Sequence, residues 1–366
     1  MTATNCSSLN ATSETVVGNP TATTLGALIL TIVFLLGFPG NLFVIWSILA
    51  RARKQSVTTL LIINLAIADG SLMALTPFFI VYLVLMKWVI GNVMCKILFY
   101  LCLANMYASI HLIMLMSIYR MVAILWPRQI NVITGKRTIM RVLAVVWGLV
   151  MITSIPALIF REVTCKKSSP DLACELHLEN TSQVVLYYTL ELVLGFLIPY
   201  GVILVCYICI LRRIKQTKFH RQIRSEKLIL AIVLIFCLFW LPYHLISMVK
   251  VAWALSPDGT VKQTLDPIWR RSRAVTSTIA FISSCANPVL YFFAGKSYIR
   301  REGLAFMARL FETAGIDSFR KSQNNSQNSR DRDKDADVVK LNDKDLEDLD
   351  SVANSSSNVK QVKNGK

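Results

Sequence analysis

The sequence predicts an all-α membrane protein: a seven-helix transmembrane bundle, then a short amphipathic helix at the inner surface and a disordered tail. Three observations carry this. Apolar side chains make up 54% of the 366 residues and charged ones only 17%, against roughly 25% charged in an ordinary soluble domain. Seven stretches are apolar over about 20 residues, the helix length that crosses a hydrocarbon slab of about 30 Å. The formal charge of +17 gathers at the ends of those stretches and not on one face, which gives no reason to expect a nucleic-acid partner.

The spans run Thr24 to Leu49, Thr58 to Met86, Met94 to Leu125, Arg141 to Phe160, Val184 to Leu211, Leu228 to Trp253 and Ala274 to Phe293. Backbone amides left unpaired in lipid cost several kcal/mol each, so such runs form helices or closed barrels, and the lack of period-two alternation selects helices. Basic residues follow the first span (Arg51, Arg53, Lys54) and the third (Arg128, Lys136, Arg137), and crowd the fifth-to-sixth connection from Arg212 to Lys227. Lysine and arginine are retained on the cytoplasmic side, which puts the N-terminus (residues 1–23) outside and the C-terminus inside. Met1 to Thr23 is polar and lacks the pattern of a cleavable signal, so the first span is expected to insert as an anchor. Asn5, Asn10 and Asn180 each open an N-x-S/T triplet on the outer side and are expected to carry glycans.

Lys296 to Phe311 spaces Ile299, Phe306 and Leu310 at helical intervals beside Arg300, Arg301 and Arg309, predicting a helix on the inner membrane surface over 294–315. Residues 316–366 are polar, with an acid-rich run from Asp343 to Asp350. They cannot bury enough apolar surface to fold alone.

An ionisable group at the bilayer centre costs about 2.5 to 3.5 kcal/mol even on permissive scales, so each one needs a partner or a purpose. Asp69 lies midway along the second span, Ser109 in the third, and Ser283, Ser284 and Asn287 in the seventh. These are oxygen donors of the kind a hard cation such as sodium accepts; a network that only holds helices together is the equal alternative. Asn41, Trp147, Pro199, Pro242 and Pro288 punctuate five spans, and the prolines make hinges where Trp240 or Tyr291 can repack. At the outer ends stand Arg161, Glu191 and Arg273. Lys250, Lys262, Arg270, Arg271 and Arg273 outnumber Asp258 and Asp266 around the last outer connection. Positive charge there opposes the insertion bias and favours an anionic ligand.

Taken in order, GFPGN (from Gly37), NLAIAD (ending at Asp69), Cys95, Arg120, Trp147, Pro199, FWLPYH and NPVLY resemble the rhodopsin-like G-protein-coupled receptors. NMYAS, GFLIPY and AFMARLFETAG are most similar to the leukotriene B4 receptors of the chemoattractant group. The resemblance implies an extracellular acidic lipid ligand, leukotriene B4 or a related hydroxy fatty acid, with signalling through heterotrimeric G proteins of the inhibitory class in chemotaxis and inflammation. It implies a plasma-membrane location, and arrestin and receptor kinases at a serine-rich tail. It places Arg161, Arg273, Glu191, Tyr107, Phe99, Met106, Ser247 and Trp240 at the ligand, with Phe99 and Ser247 standing where mammalian receptors have histidine and asparagine. It also implies a Cys95–Cys174 disulfide, although Cys165 competes and Cys6 could take whichever is left. A switch is expected around Arg120, Tyr119, Trp240, Pro242, Asn287, Pro288 and Tyr291. Tyr119 departs from the family, which usually has an acid beside the third-helix arginine.

A chemotactic-peptide receptor and a membrane transporter are the rival readings. Transporters show repeated halves with broken helices, a pattern absent from this sequence. Enzyme motifs are missing too: GKS at Gly295 has Leu290 where a phosphate loop needs its first glycine, and there is no HExxH or GxSxG.

Overall fold

The computed structural model describes residues 20–51, 57–126, 136–165, 171–216, 223–257 and 259–302. Helices α1 (Pro20–Arg51), α2 (Val57–Leu85), α3 (Asn92–Leu125) and α4 (Lys136–Phe160) are followed by strands β1 (Arg161–Cys165) and β2 (Leu172–Leu176). Then come α5, in three pieces (Thr181–Leu192, a π-helical turn Val193–Leu197, and Ile198–Gln216), α6 (Ile223–Leu255) and α7 (Thr260–Glu302). Six of these helices are long and apolar enough to cross a membrane on that basis alone; α7 carries the seventh expected span among more polar residues.

The bundle is organised around α3, which packs on α2, α4, α5 and α6, while α1 packs on α2 and α7, and α6 on α7. Leu65, Ile110, Leu112 and Ile113 are fully buried at its centre. Large apolar side chains such as Leu28, Leu35, Ile152 and Leu238 stay exposed, whereas Asp69, Asn105, Ser109 and Asn287 are buried. Apolar-out and polar-in is the arrangement expected where lipid is the solvent and polar groups must find one another.

Two glycines set close approaches. A Cβ on Gly37 would lie 2.7 Å from Met73 Sδ and 2.9 Å from Cys285 Cβ, so only glycine lets α1 settle against α2 and α7. In the π turn of α5, directly ahead of Pro199, a Cβ on Gly195 would lie 2.9 Å from Met106 Cε. The wider turn absorbs the donor that proline lacks and brings α5 onto α3.

The helices outrun the predicted spans. The seventh begins at Thr260 and not at Ala274, so the outer connection is largely one more helical stretch: apolarity marks the part of a helix that lies in lipid, not where the helix starts. At its other end α7 continues to Glu302, through the start of the surface helix expected over 294–315; residues 303–315 and the tail fall outside the described residues. The hairpin was not anticipated. It pairs Val163 with Cys174 and Arg161 with Leu176, and is tied down by the Cys95–Cys174 disulfide, by Trp88 N–H to Leu172 O at 2.7 Å and by Val163 N–H to Asn92 Oδ1 at 3.0 Å. Cys165 is also disulfide-bonded, while Cys6, Asn5 and Asn10 lie outside the described residues. Asn180 is exposed at the head of α5, where a glycan has room.

Candidate functional site

Beneath the hairpin the outer ends of the helices enclose a cavity of about 440 Å³, within the range of sites for drug-sized ligands. Phe99, Met106, Arg161, Trp240 and Arg273 all line it. Helix direction makes Met106 and Trp240 its floor. The Arg161 guanidinium, at the start of β1, lies 3.8 Å over the Phe99 ring. One of its nitrogens reaches Cys174 O at 3.4 Å, and Nε is buried with no acceptor among the described residues. Phe99 meets Phe79 edge-on at 5.4 Å. A phenyl at this position gives Arg161 a flat face to stack on, where an imidazole would also offer hydrogen bonds.

Arg273, between three and four turns into α7, is only 8% exposed. It donates to Ser247 Oγ at 2.8 Å and to Tyr243 OH at 2.6 Å, and lies 4.0 Å over the Tyr243 ring. Glu191 on α5 is 2% exposed. Neither of its carboxylate oxygens makes a hydrogen bond of ordinary geometry, although Arg273 and Tyr243 are its main electrostatic neighbours. Glu191, Tyr107 and Ser247 stand behind the wall and do not line the cavity, a correction to their expected place at its surface. Tyr187, Tyr188 and Tyr243 line it instead. Tyr243 was legible in principle, since it sits three residues after Trp240 and four before Ser247, on the same helical face.

Under the floor lies a second polar cluster. Asp69, wholly buried, accepts from Asn105 Nδ2 at 3.3 Å and Ser109 Oγ at 3.2 Å on one oxygen, and from Asn287 Nδ2 at 2.8 Å on the other. Ser284 donates to Asn105 Oδ1 at 3.4 Å. Asn105 was missing from the expected set and Ser283 does not belong to it: Ser283 turns to Ala280 O and accepts from Trp240 Nε1 at 3.0 Å. The amides of Asn105 and Asn287 turn their nitrogens to this carboxylate, so the hard-oxygen donors here are the carboxylate itself and the Ser109 hydroxyl, which suit sodium better than a transition metal. Asn41 ties α1 to α7 by donating to Ser284 O at 3.1 Å, and Trp147 donates to Asn64 Oδ1 at 3.1 Å.

At the inner end of α3, Tyr119 and Arg120 are buried. Pro242 and Pro288 sit inside continuous helices. Tyr291 is in α7, but its side chain lies outside the described residues.

Buried charge inside a seven-helix bundle, a hairpin-capped outer cavity and a disulfide from α3 to that hairpin make a constellation that sequence comparison identifies. The family described as 7 transmembrane receptor (rhodopsin family) matches residues 40–291. The chain belongs to this family. The receptor is 35% identical to leukotriene B4 receptor 1 of Homo sapiens over 80% of its own length and 83% of that protein's. It is 33% identical to human leukotriene B4 receptor 2 over 82% and 84% of the two chains. It is also 32% identical to the C3a anaphylatoxin chemotactic receptor of Oncorhynchus mykiss over 83% and 82%. It is therefore a multi-pass plasma-membrane receptor with a G protein as its inner partner, and not an enzyme.

Proposed function

We propose that the receptor is activated by leukotriene B4 or a related hydroxy fatty acid, and that it couples to G proteins of the inhibitory class. The observation that carries this is the pair of guanidinium groups, Arg161 and Arg273, on the wall of a cavity lined largely by aromatic and apolar side chains. Guanidinium presents a bidentate fork to a carboxylate, and the unmet Nε of Arg161 has a donor to give. The hydroxyls of Tyr187, Tyr188 and Tyr243 suit the alcohols of a hydroxy fatty acid, and Phe99, Met106 and Trp240 suit its chain. Two of the relatives are leukotriene B4 receptors and point the same way; the third, a chemotactic receptor, supports a chemotactic peptide as the second reading.

Ligand seated on Trp240 shifts the population toward a state with α6 displaced at its inner end, exposing the cleft around Arg120 to the G protein. Asp69 and Ser109 would hold a sodium ion that favours one of the two states. Serines of the tail, from Ser318 to Ser357, serve receptor kinases and then arrestin.

The test is ligand-dependent nucleotide exchange on an added G protein in reconstituted membranes, with leukotrienes, hydroxy fatty acids and chemotactic peptides in one panel. Exchange driven by the lipid acids and lost with their methyl esters is expected. Exchange driven by peptides alone overturns the reading.

A further inference from the structure

The lining of the outer cavity changes character from one side to the other. On the side of α5 and α6 it carries the hydroxyls of Tyr187, Tyr188 and Tyr243 beside Arg273. On the other side it runs through Leu30 of α1, Phe79 and Leu83 of α2, Phe99 of α3, and Thr278 and Phe281 of α7. These side chains close on one another into a chamber. Phe79 meets the Phe99 and Phe281 rings edge-on at 5.4 and 5.6 Å. A Cβ on Gly26 would lie 3.3 Å from Leu83 Cδ1 and 3.4 Å from Thr278 Oγ1, so glycine lets α1 cover the chamber's far end. Leu30, one turn further along the same face of α1, is 2% exposed and still borders the cavity.

No lining residue from α1 or α2 carries a charge. Polar groups on this side are few: the Thr278 hydroxyl is bonded to Ala274 O at 2.9 Å, the Tyr82 hydroxyl meets the backbone of Cys174, and Ser277 stands at the α7 edge. Arg161 marks the mouth, 3.8 Å over the Phe99 ring. A buried water needs two to four polar partners, and an ionised group entering here would lose its hydration unmatched. An apolar chain gains by entering, because it leaves water for a wall of its own kind.

We propose that this chamber between α1, α2, α3 and α7 takes the methyl end of the lipid, with the acid left on the arginines, and that Leu83, Ser277 and Thr278 set the chain length the receptor prefers. The inference rests on the acidic-lipid reading of the cavity. The competing account is a dry packing gap between helices that no ligand enters.

The experiment is competition binding on the full-length receptor in lipid nanodiscs with three probes: leukotriene B4, the same acid shortened by two methylenes at its methyl end, and the acid lengthened there by two. Each is measured on wild type, on Ser277→Leu, which fills the chamber, and on Leu83→Ala, which deepens it. A buried methylene is worth about fourfold in affinity, so the shortened acid is expected to bind wild type about fifteenfold more weakly than leukotriene B4. Ser277→Leu is expected to bring those two acids within about threefold of each other by weakening the longer one alone; unchanged binding of the shortened acid is the control for folding. Leu83→Ala is expected to raise the lengthened acid to at least the affinity of leukotriene B4. If chain length makes no difference on wild type, or if Leu83→Ala leaves the spacing of the three acids as it is in wild type, the chamber does not hold the chain while the acidic-lipid reading stands. If none of the three binds wild type, that reading falls and takes the chamber with it.

Discussion

Trp240 on α6 donates its indole N–H to the Ser283 hydroxyl on α7 at 3.0 Å, joining the floor of the outer cavity to the polar network below it. The next residue, Ser284, donates to Asn105, and Asn105 donates to Asp69. Removing the acceptor leaves a buried N–H unmatched in this conformation and releases α6 from α7. A net loss of about 1 kcal/mol corresponds to about fivefold in a two-state population. Ser283→Ala is expected to raise ligand-free nucleotide exchange by that order, and Ser283→Thr, which keeps the hydroxyl, to match wild type at equal receptor density.

Asp69 offers the one full negative charge in its cluster. If the oxygens around it hold sodium, agonist affinity falls as sodium chloride replaces a chloride salt of a bulky organic cation at constant ionic strength. Asp69→Asn is expected to abolish that dependence; a sodium effect of equal size in wild type and variant would sink the sodium reading.

Arg273 and Glu191 are buried together, so their deletion effects should be coupled. Arg273→Ala removes the main cation acting on the buried Glu191 carboxylate, which makes no direct ion pair with it, and leaves that carboxylate less compensated for its burial. Expression and thermal stability are expected to drop, and adding Glu191→Gln to recover most of the stability. Binding of labelled leukotriene B4 should stay at least about tenfold weaker in the recovered double variant, the order of one charge-assisted contact. Undiminished binding there removes Arg273 from the ligand.

Tyr119 stands where an acid would pair with Arg120. A charge-assisted hydrogen bond is roughly twice as strong as a neutral one, so Tyr119→Asp is expected to lower agonist-free signalling. Equal basal exchange in the two proteins would defeat the idea.

Gly37→Ala puts a methyl within 2.7 Å of Met73 Sδ and 2.9 Å of Cys285 Cβ. Met73 can swing aside; a Cβ on a neighbouring helix cannot. Overpacking of this kind costs about 1 to 3 kcal/mol, which a lower melting temperature in detergent would register. Gly148→Ala, with nothing within 4 Å of the added Cβ, is the matched control and is expected to melt like wild type.

The sequence by itself determined the topology, the sidedness and the list of buried polar residues. Transfer into lipid is scored residue by residue along a segment, so Thr58 to Met86 reads as a span and Arg51 to Lys54 as its inner flank without knowing any neighbour. It also marked Asp69, Arg161 and Arg273 as anomalies, because a charge in or near lipid stands out against its own stretch. The tertiary structure decided which of these residues meet. Ser283 and Ser284 are adjacent in sequence, yet one faces Trp240 and the other Asn105, since each step along a helix turns the side chain by about 100°. The turn of each helix about its axis is set by packing against its neighbours. The same holds for Glu191 and Tyr107, which the sequence puts at the right depth but which the turn of their helices keeps off the cavity lining. The hairpin and the π turn at Val193–Leu197 were illegible for a related reason: five-residue elements carry too little periodicity of their own, and their form depends on Cys95, Trp88 and α3 pressing on them from elsewhere in the chain.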